Sequence, residues 1–151
     1  MTDTTHPDLL ADLASWLELR LHEADDWRSP SRLYGLTVLD PEAIGRNADS
    51  AAVLTFLAEG EVYALLECPA VVAAATFDAL GIACTGTATR LDTGERYRCR
   101  TVLVADGTGQ STVNRLRGEA PERMGRASGP VADRVELLFR ALRSTESRPA
   151  T

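Results

Sequence analysis

The chain has 151 residues, 44% of them apolar and 25% charged, with a formal net charge of −6. The length suits one domain with a real hydrophobic core. The acidic balance argues against general affinity for nucleic acid or acidic membranes, both of which need an excess of cation. No apolar run reaches the roughly 18 residues of a membrane-spanning helix. The start, MTDTTHPDLL, lacks the basic and then apolar pattern of a secretory leader, so a soluble, cytoplasmic chain is expected. All 16 basic residues are arginine. The absence of lysine has the look of GC-rich coding, and it excludes both a Schiff-base lysine and the lysine of a standard phosphate-binding loop.

The first predicted element is a helix within THPDLLADLASWLELRLHEADDW, where Leu9, Leu13, Trp16, Leu17, Leu21 and Ala24 recur at helical spacing. Thr5 and Asp8 resemble a capping box with Asp in place of Glu. RSPS breaks the helix, and RLYGLTVLD reads as a strand. PEAIGRNAD is expected to be a loop. SAAVLTFLAEG favours a helix ending at Gly60, although Val53, Thr55 and Phe56 would tolerate a strand. EVYALLEC reads as a strand buried on both faces. PAVVAAATFDALG reads as a helix from Pro69 to Gly81.

Three strand-like runs follow, IACTGTATRL, ERYRCRTVLVA and QSTVNRLRG, separated by DTG and DGTG. Both separators carry the Asp/Gly chemistry of hairpin turns. EAPERMGRASG is expected to be a polar loop. PVADRVELLFRALR forms a last helix with Val131, Val135, Leu138, Phe139 and Leu142 on one stripe, and residues 144–151 form a frayed tail. The predicted fold is one α+β domain over residues 5–143. Its antiparallel sheet has a C-terminal three-strand meander, packed on one face by the N- and C-terminal amphipathic helices.

The stretch VADGTGQSTVNRLRG invites comparison with phosphate-binding loops. A Walker A loop needs its lysine, and a dinucleotide fingerprint needs a third glycine and a following helix. This segment has neither, and QSTVNRLRG reads as a strand without the helix N-terminus that would hold an anion. A hairpin is the better reading. With two-residue loops at Thr93-Gly94 and Gly107-Thr108, Tyr97, Cys99, Leu103 and Ala105 share a face with Ile82, Cys84, Ala88 and Leu116, a plausible core face. The opposite face then gathers Arg98, Arg100, Arg115 and Arg117 with Val102, Val104 and Val113. Arg100 falls opposite Arg115 and Arg98 opposite Arg117. Like charges so placed repel, so the cluster calls for loop carboxylates, an acidic partner or a small anion. A three-residue loop would send Arg115 and Arg117 to the other face.

Other chemistry finds little support. Cys68, Cys84 and Cys99 are odd in number and widely spaced, without the pattern of a zinc or redox site, and read as buried free thiols. In the predicted register Cys84 lies opposite Leu103, so a Cys84–Cys99 disulfide is not expected. His22 shares a helix face with Glu18 and Asp26, which reads as a solvated, salt-bridged face in preference to a metal site. No GxSxG elbow occurs, Cys68 follows a glutamate that would raise its pKa, and Asp25 and Asp26 diverge at a helix end.

The run GTATRLDTGERYRCRTVLVADGTGQSTVNRLRG, followed by GPVADRVELLFRAL, resembles small uncharacterised proteins of actinobacteria and their phages. In those an Arg-rich strand leads through an Asp-Gly turn into a further strand and then a terminal amphipathic helix. The resemblance covers about the C-terminal 70 residues and implies an α+β fold; it brings no site. The expected function is a non-enzymatic cytoplasmic binding domain, partnered by itself or another protein, with Val102, Val104 and Val113 beside the arginines as a mixed interface. The alternative is a small-molecule or anion-binding protein, even an enzyme, that uses Arg98, Arg100, Arg115 and Arg117. No cofactor, metal or membrane partner is expected, and nucleic acid is disfavoured.

Overall fold

A computed structural model of the chain describes residues 7–25, 27, 30–65, 67, 76–106 and 108–125. It holds an open six-stranded antiparallel sheet with a few helices, roughly an α+β arrangement. Helix α1 (Pro7–Glu23) leads into strand β1 (Ser31–Val38). A short helix α2 (Pro41–Gly45) and a 3-10 turn (Asp49–Ala51) precede β2 (Ala52–Gly60). One helical turn, α3 (Val62–Leu65), comes before β3 (Ala79–Thr89), β4 (Arg96–Ala105), β5 (Gln110–Leu116) and β6 (Glu122–Gly125). The strand order is β2-β1-β3-β4-β5-β6. Among the described residues, no helix is long and apolar enough to cross a membrane.

Helix α1 lies across β4 and β5 and touches α2. Its Leu10, Leu13, Ala14, Trp16, Leu17 and Leu21 are buried in one cluster with Tyr34, Leu36, Ala79, Ala83, Val102, Val104 and Val113. The helical period of the sequence is therefore the period of the buried stripe, although Ala24 lies exposed beyond the helix end. Trp16 donates from Nε1 to the Ala48 carbonyl at 2.8 Å, which fixes the helix to the loop after α2. That loop is shaped locally. Asp40 caps α2 by accepting from the amides of Glu42 and Ala43 at 3.1 and 3.4 Å, with Pro41 beginning the helix.

Both sheet faces are covered in the middle, which corrects the expectation of one core face and one open face. Leu33, Leu80, Ile82, Leu103 and Ala105 are buried on the face away from α1, where the ring of Phe77 lies under Gly35. The valines expected at an outer interface, Val102, Val104 and Val113, form the core beneath α1. The residues grouped as the other face do share it, but Cys84, Ala88, Tyr97, Cys99 and Leu116 are only half-buried.

Several local expectations are corrected. Residues 52–60 form a strand, because β1 offers its backbone on this side and Val53, Thr55 and Phe56 suit a pleated surface. Residues 62–65 form a helical turn, because Glu61 accepts from the amides of Tyr63 and Ala64 and so caps it. Gly81 is not a helix stop; it sits inside β3 opposite Val104. Residues 122–125, expected as loop, pair with β5. PEAIG, also expected as loop, is α2. The expected Thr5 cap, residues 69–75 of the expected Pro69–Gly81 helix, the expected C-terminal helix and the expected tail lie outside the described residues.

The β3–β4 turn is longer than expected. Arg90 pairs with Glu95 across residues 91–94, with Gly94 at φ +72° closing the turn. Cys84 consequently faces Thr101, not Leu103. The slip is two residues, so every side chain keeps its predicted face. Gly81 serves close packing: a Cβ there would lie 2.6 Å from Leu17 Cδ2 and 3.3 Å from Leu36 Cδ1. Gly81→Ala is therefore expected to cost about 1–3 kcal/mol through overpacking, read as a lower urea midpoint with unchanged slope.

Candidate functional site

The β4–β5 hairpin has the predicted two-residue loop. Asp106 donates its amide to the Gly109 carbonyl at 3.1 Å, and Asp106 Oδ1 accepts from the amides of Thr108 and Gly109 at 2.8 and 3.1 Å. This Asx geometry fixes the register. Arg100 then stands opposite Arg115, and the Arg117 amide donates to the Arg98 carbonyl at 2.8 Å. All four arginines point to the face that carries α1.

What sequence reasoning missed is the group that meets them. Glu18, assigned to a solvated helix face with His22 and Asp26, is fully buried. Asp26 lies outside the described residues. Glu18 Oε2 accepts from Arg100 Nε and Nη2 at 3.0 and 2.6 Å and from Arg115 Nε at 2.8 Å, while Oε1 accepts from Arg115 Nη2 at 2.8 Å. One carboxylate thus bridges two guanidinium groups that would otherwise repel across the hairpin. The clue was available: position 18 lies between Ala14 and Leu21 on the buried stripe, so a solvated glutamate there was inconsistent with the helix period.

Trp27 completes the cluster and was also missed. It is buried, with the Arg100 guanidinium 4.1 Å from its ring centroid and that of Arg117 at 5.8 Å. Its carbonyl accepts from Arg98 Nη2 at 2.6 Å, and its Nε1 donates to Asp25 Oδ1 at 3.1 Å. Exposed His22 approaches from the rim, its Nδ1 3.2 Å from Arg100 Nη2. A guanidinium only donates, so Nδ1 is the accepting atom of this contact.

Electrostatically the site is a fixed ion cluster. Burial works against ionisation of Glu18, but hydrogen bonds and charge from Arg115 and Arg100 outweigh it and hold the carboxyl below its ordinary value. Glu18 is therefore a permanent carboxylate near neutral pH. Cys84 and Cys99 lie on the other face, and Cys68 lies outside the described residues; Cys84 accepts from Ser31 Oγ at 3.2 Å, and burial pushes its pKa up, away from nucleophilic behaviour. Cys84 and Cys99 are both free. Among the described residues no group of His, Cys, Asp and Glu is arranged to hold a metal ion.

A second feature lies at the margin of the sheet. Among the described residues β2 and β6 end the sheet. β2 carries no charge from Ala52 to Ala58, and its Val53 and Phe56 are 46% and 55% exposed. Its one irregularity is at Leu57, where pairing jumps from Tyr34↔Phe56 to Leu33↔Ala58.

Glu18→Gln should destabilise the fold by about 3 kcal/mol or more, because it leaves two buried guanidinium groups without their carboxylate. Replacing all three groups together, Glu18→Leu with Arg100→Met and Arg115→Leu, should be far milder in the same denaturant titration. The sign with pH follows from the lowered pKa. Stability from Glu18 is complete above the unfolded value near 4.5 and drains as pH falls through the folded one. Wild type should therefore lose stability on acidification more steeply than Glu18→Gln. Compared with family models, curated proteins and solved structures, the chain matches none.

Proposed function

We propose that this chain is a non-enzymatic interaction domain that binds polypeptide by strand addition at the β2 edge. The observation that carries the reading is the uncharged stretch Ala52–Ala58 at the sheet margin, with Val53 and Phe56 exposed. An edge strand offers unpaired amide and carbonyl groups, and another strand satisfies them in regular order. Folds that leave an edge unused commonly place lysine, proline or inward charge on it. β2 has none of these before Glu59, and the bulge at Leu57 is its one interruption.

The arginine cluster supports this reading by its internal pairing. Arg100 and Arg115 direct their guanidinium groups at Glu18, and Arg98 and Arg117 engage Trp27. The anion that the cluster calls for is thereby supplied by the chain itself, which favours a structural role over ligand capture. A non-enzymatic role is further supported by Glu18, whose two oxygens already accept four hydrogen bonds from Arg100 and Arg115. The proposal retains three further parts: a C-terminal amphipathic helix over residues 130–143 packed on the same sheet face as α1, cytoplasmic residence, and the actinobacterial likeness of the C-terminal half.

A photoreactive residue at position 56, introduced in cells that make the protein, tests the reading. Position 56 should give polypeptide adducts on illumination, while the same residue at Glu42, exposed on α2, should give few. Equal yields at the two positions would refute strand addition at β2.

A further inference from the structure

We infer that the strand received at the β2 edge is β2 of a second copy of this chain, paired antiparallel about a two-fold axis through Thr55; this rests on the strand-addition reading above. The argument begins with the residues. Ala52-Val53-Leu54-Thr55-Phe56-Leu57-Ala58 has the same pattern read in either direction: small, apolar, apolar, Thr, apolar, apolar, small. A two-fold antiparallel pairing brings a strand against its own reverse, so only a segment of this kind meets like with like along its whole length.

The pleat then restricts the register. Residues paired across an antiparallel ladder share a sheet face, so a two-fold axis must pass through a residue and not between residues. Three residues near the middle of the uncharged stretch can carry it. With the axis at Leu54, Val53 meets Thr55 and Ala52 meets Phe56, unlike against unlike. With the axis at Phe56, the bulged Leu57 is set against Thr55 one step from the axis. With the axis at Thr55, Leu54 meets Phe56 and Val53 meets Leu57, where the bulge ends the ladder. Pairing like with like therefore selects Thr55.

The side chains agree with that choice. Leu54 and Phe56 lie on the α1 face, as their pairing with Leu36 and Tyr34 shows. Tyr34 already holds the Phe56 ring edge-on, with centroids 6.0 Å apart. Leu54 of the second copy would cover the exposed side of that ring. On the other face Thr55 meets Thr55, a pair that can share a hydroxyl hydrogen bond. The bulge at Leu57 falls at both ends of the paired segment and limits the join to a short ladder, consistent with reversible association.

Sedimentation equilibrium from low to high micromolar concentration tests the pairing. Wild type should show a monomer–dimer equilibrium, and amide exchange in residues 52–58 should slow as concentration rises. Thr55→Lys and Thr55→Glu, each alone, place like charges across the axis and should weaken the dimer at least tenfold. Because position 55 faces itself, mixing the two variants should restore dimer as a heterodimer. Circular dichroism melts check that each variant is folded, and the wild-type exchange measurement stands independently of them. A wild type that stays monomeric throughout overturns the inference, as does a mixture no more associated than its components. Adducts from position 56 to a different protein, with a monomeric wild type, overturn self-pairing while leaving strand addition intact.

Discussion

The fold turns on one carboxylate placed between two arginines. Arg100 and Arg115 are forced opposite each other by the β4–β5 hairpin, and the face they share is the face that α1 must cover. Without Glu18 that face would place two cations under an apolar helix. With it, four charge-assisted hydrogen bonds replace water around the guanidinium groups. The same bonds restrict how α1 can sit: a helix rotated or slid by one turn would move the carboxylate out of reach. Valine and leucine packing in the neighbouring layers is less particular, since apolar surfaces tolerate several fits. The ion cluster thus specifies the docking of α1, while Val102, Val104 and Val113 with Leu13 and Leu17 supply the burial.

Trp27 extends this arrangement beyond the helix. The chain leaves α1 and folds its indole back over Arg100, while the peptide carbonyl takes a donor from Arg98. Trp27, between α1 and β1 in the chain, is therefore held by the same strand pair that holds the helix. One cluster ties together the N-terminal helix, Trp27 and the second half of the sheet. It leaves the opposite margin, β2, free of such ties, and that division of labour underlies the reading of β2 as the binding edge.

How much of this was legible in the sequence depended on the length of the signal. The stripe on α1 repeats over several turns, so its buried face is readable in the sequence, whereas the Asp-Gly turn leaves Arg100 against Arg115 dependent on one residue of loop length, which the pairing of Asp106 with Gly109 decides. Glu18 was misread because its charge was allowed to outweigh its place on the stripe. Residues 52–65 were misread for a different reason. In β2 the signals conflict, since Val53, Thr55 and Phe56 suit a strand while the flanking alanines and Gly60 suit a short helix, and pairing with β1, which no short window contains, decides between them. In α3 the deciding contact is a single capping carboxylate from Glu61.

The β3–β4 turn carries a consequence for how such a chain can change in length. Its loop differs from the tightest hairpin by an even number of residues, and the arginines kept their face. Adding or removing residues in pairs at this tip slides the ladder without turning it over. A single-residue insertion that propagated into β4 would exchange the contents of the two faces, sending Arg100 away from Glu18 and bringing Cys99 into its place. Changes at the tip are therefore sorted by parity more than by size: an odd change must be absorbed in the loop or taken up as a bulge before it reaches Arg100.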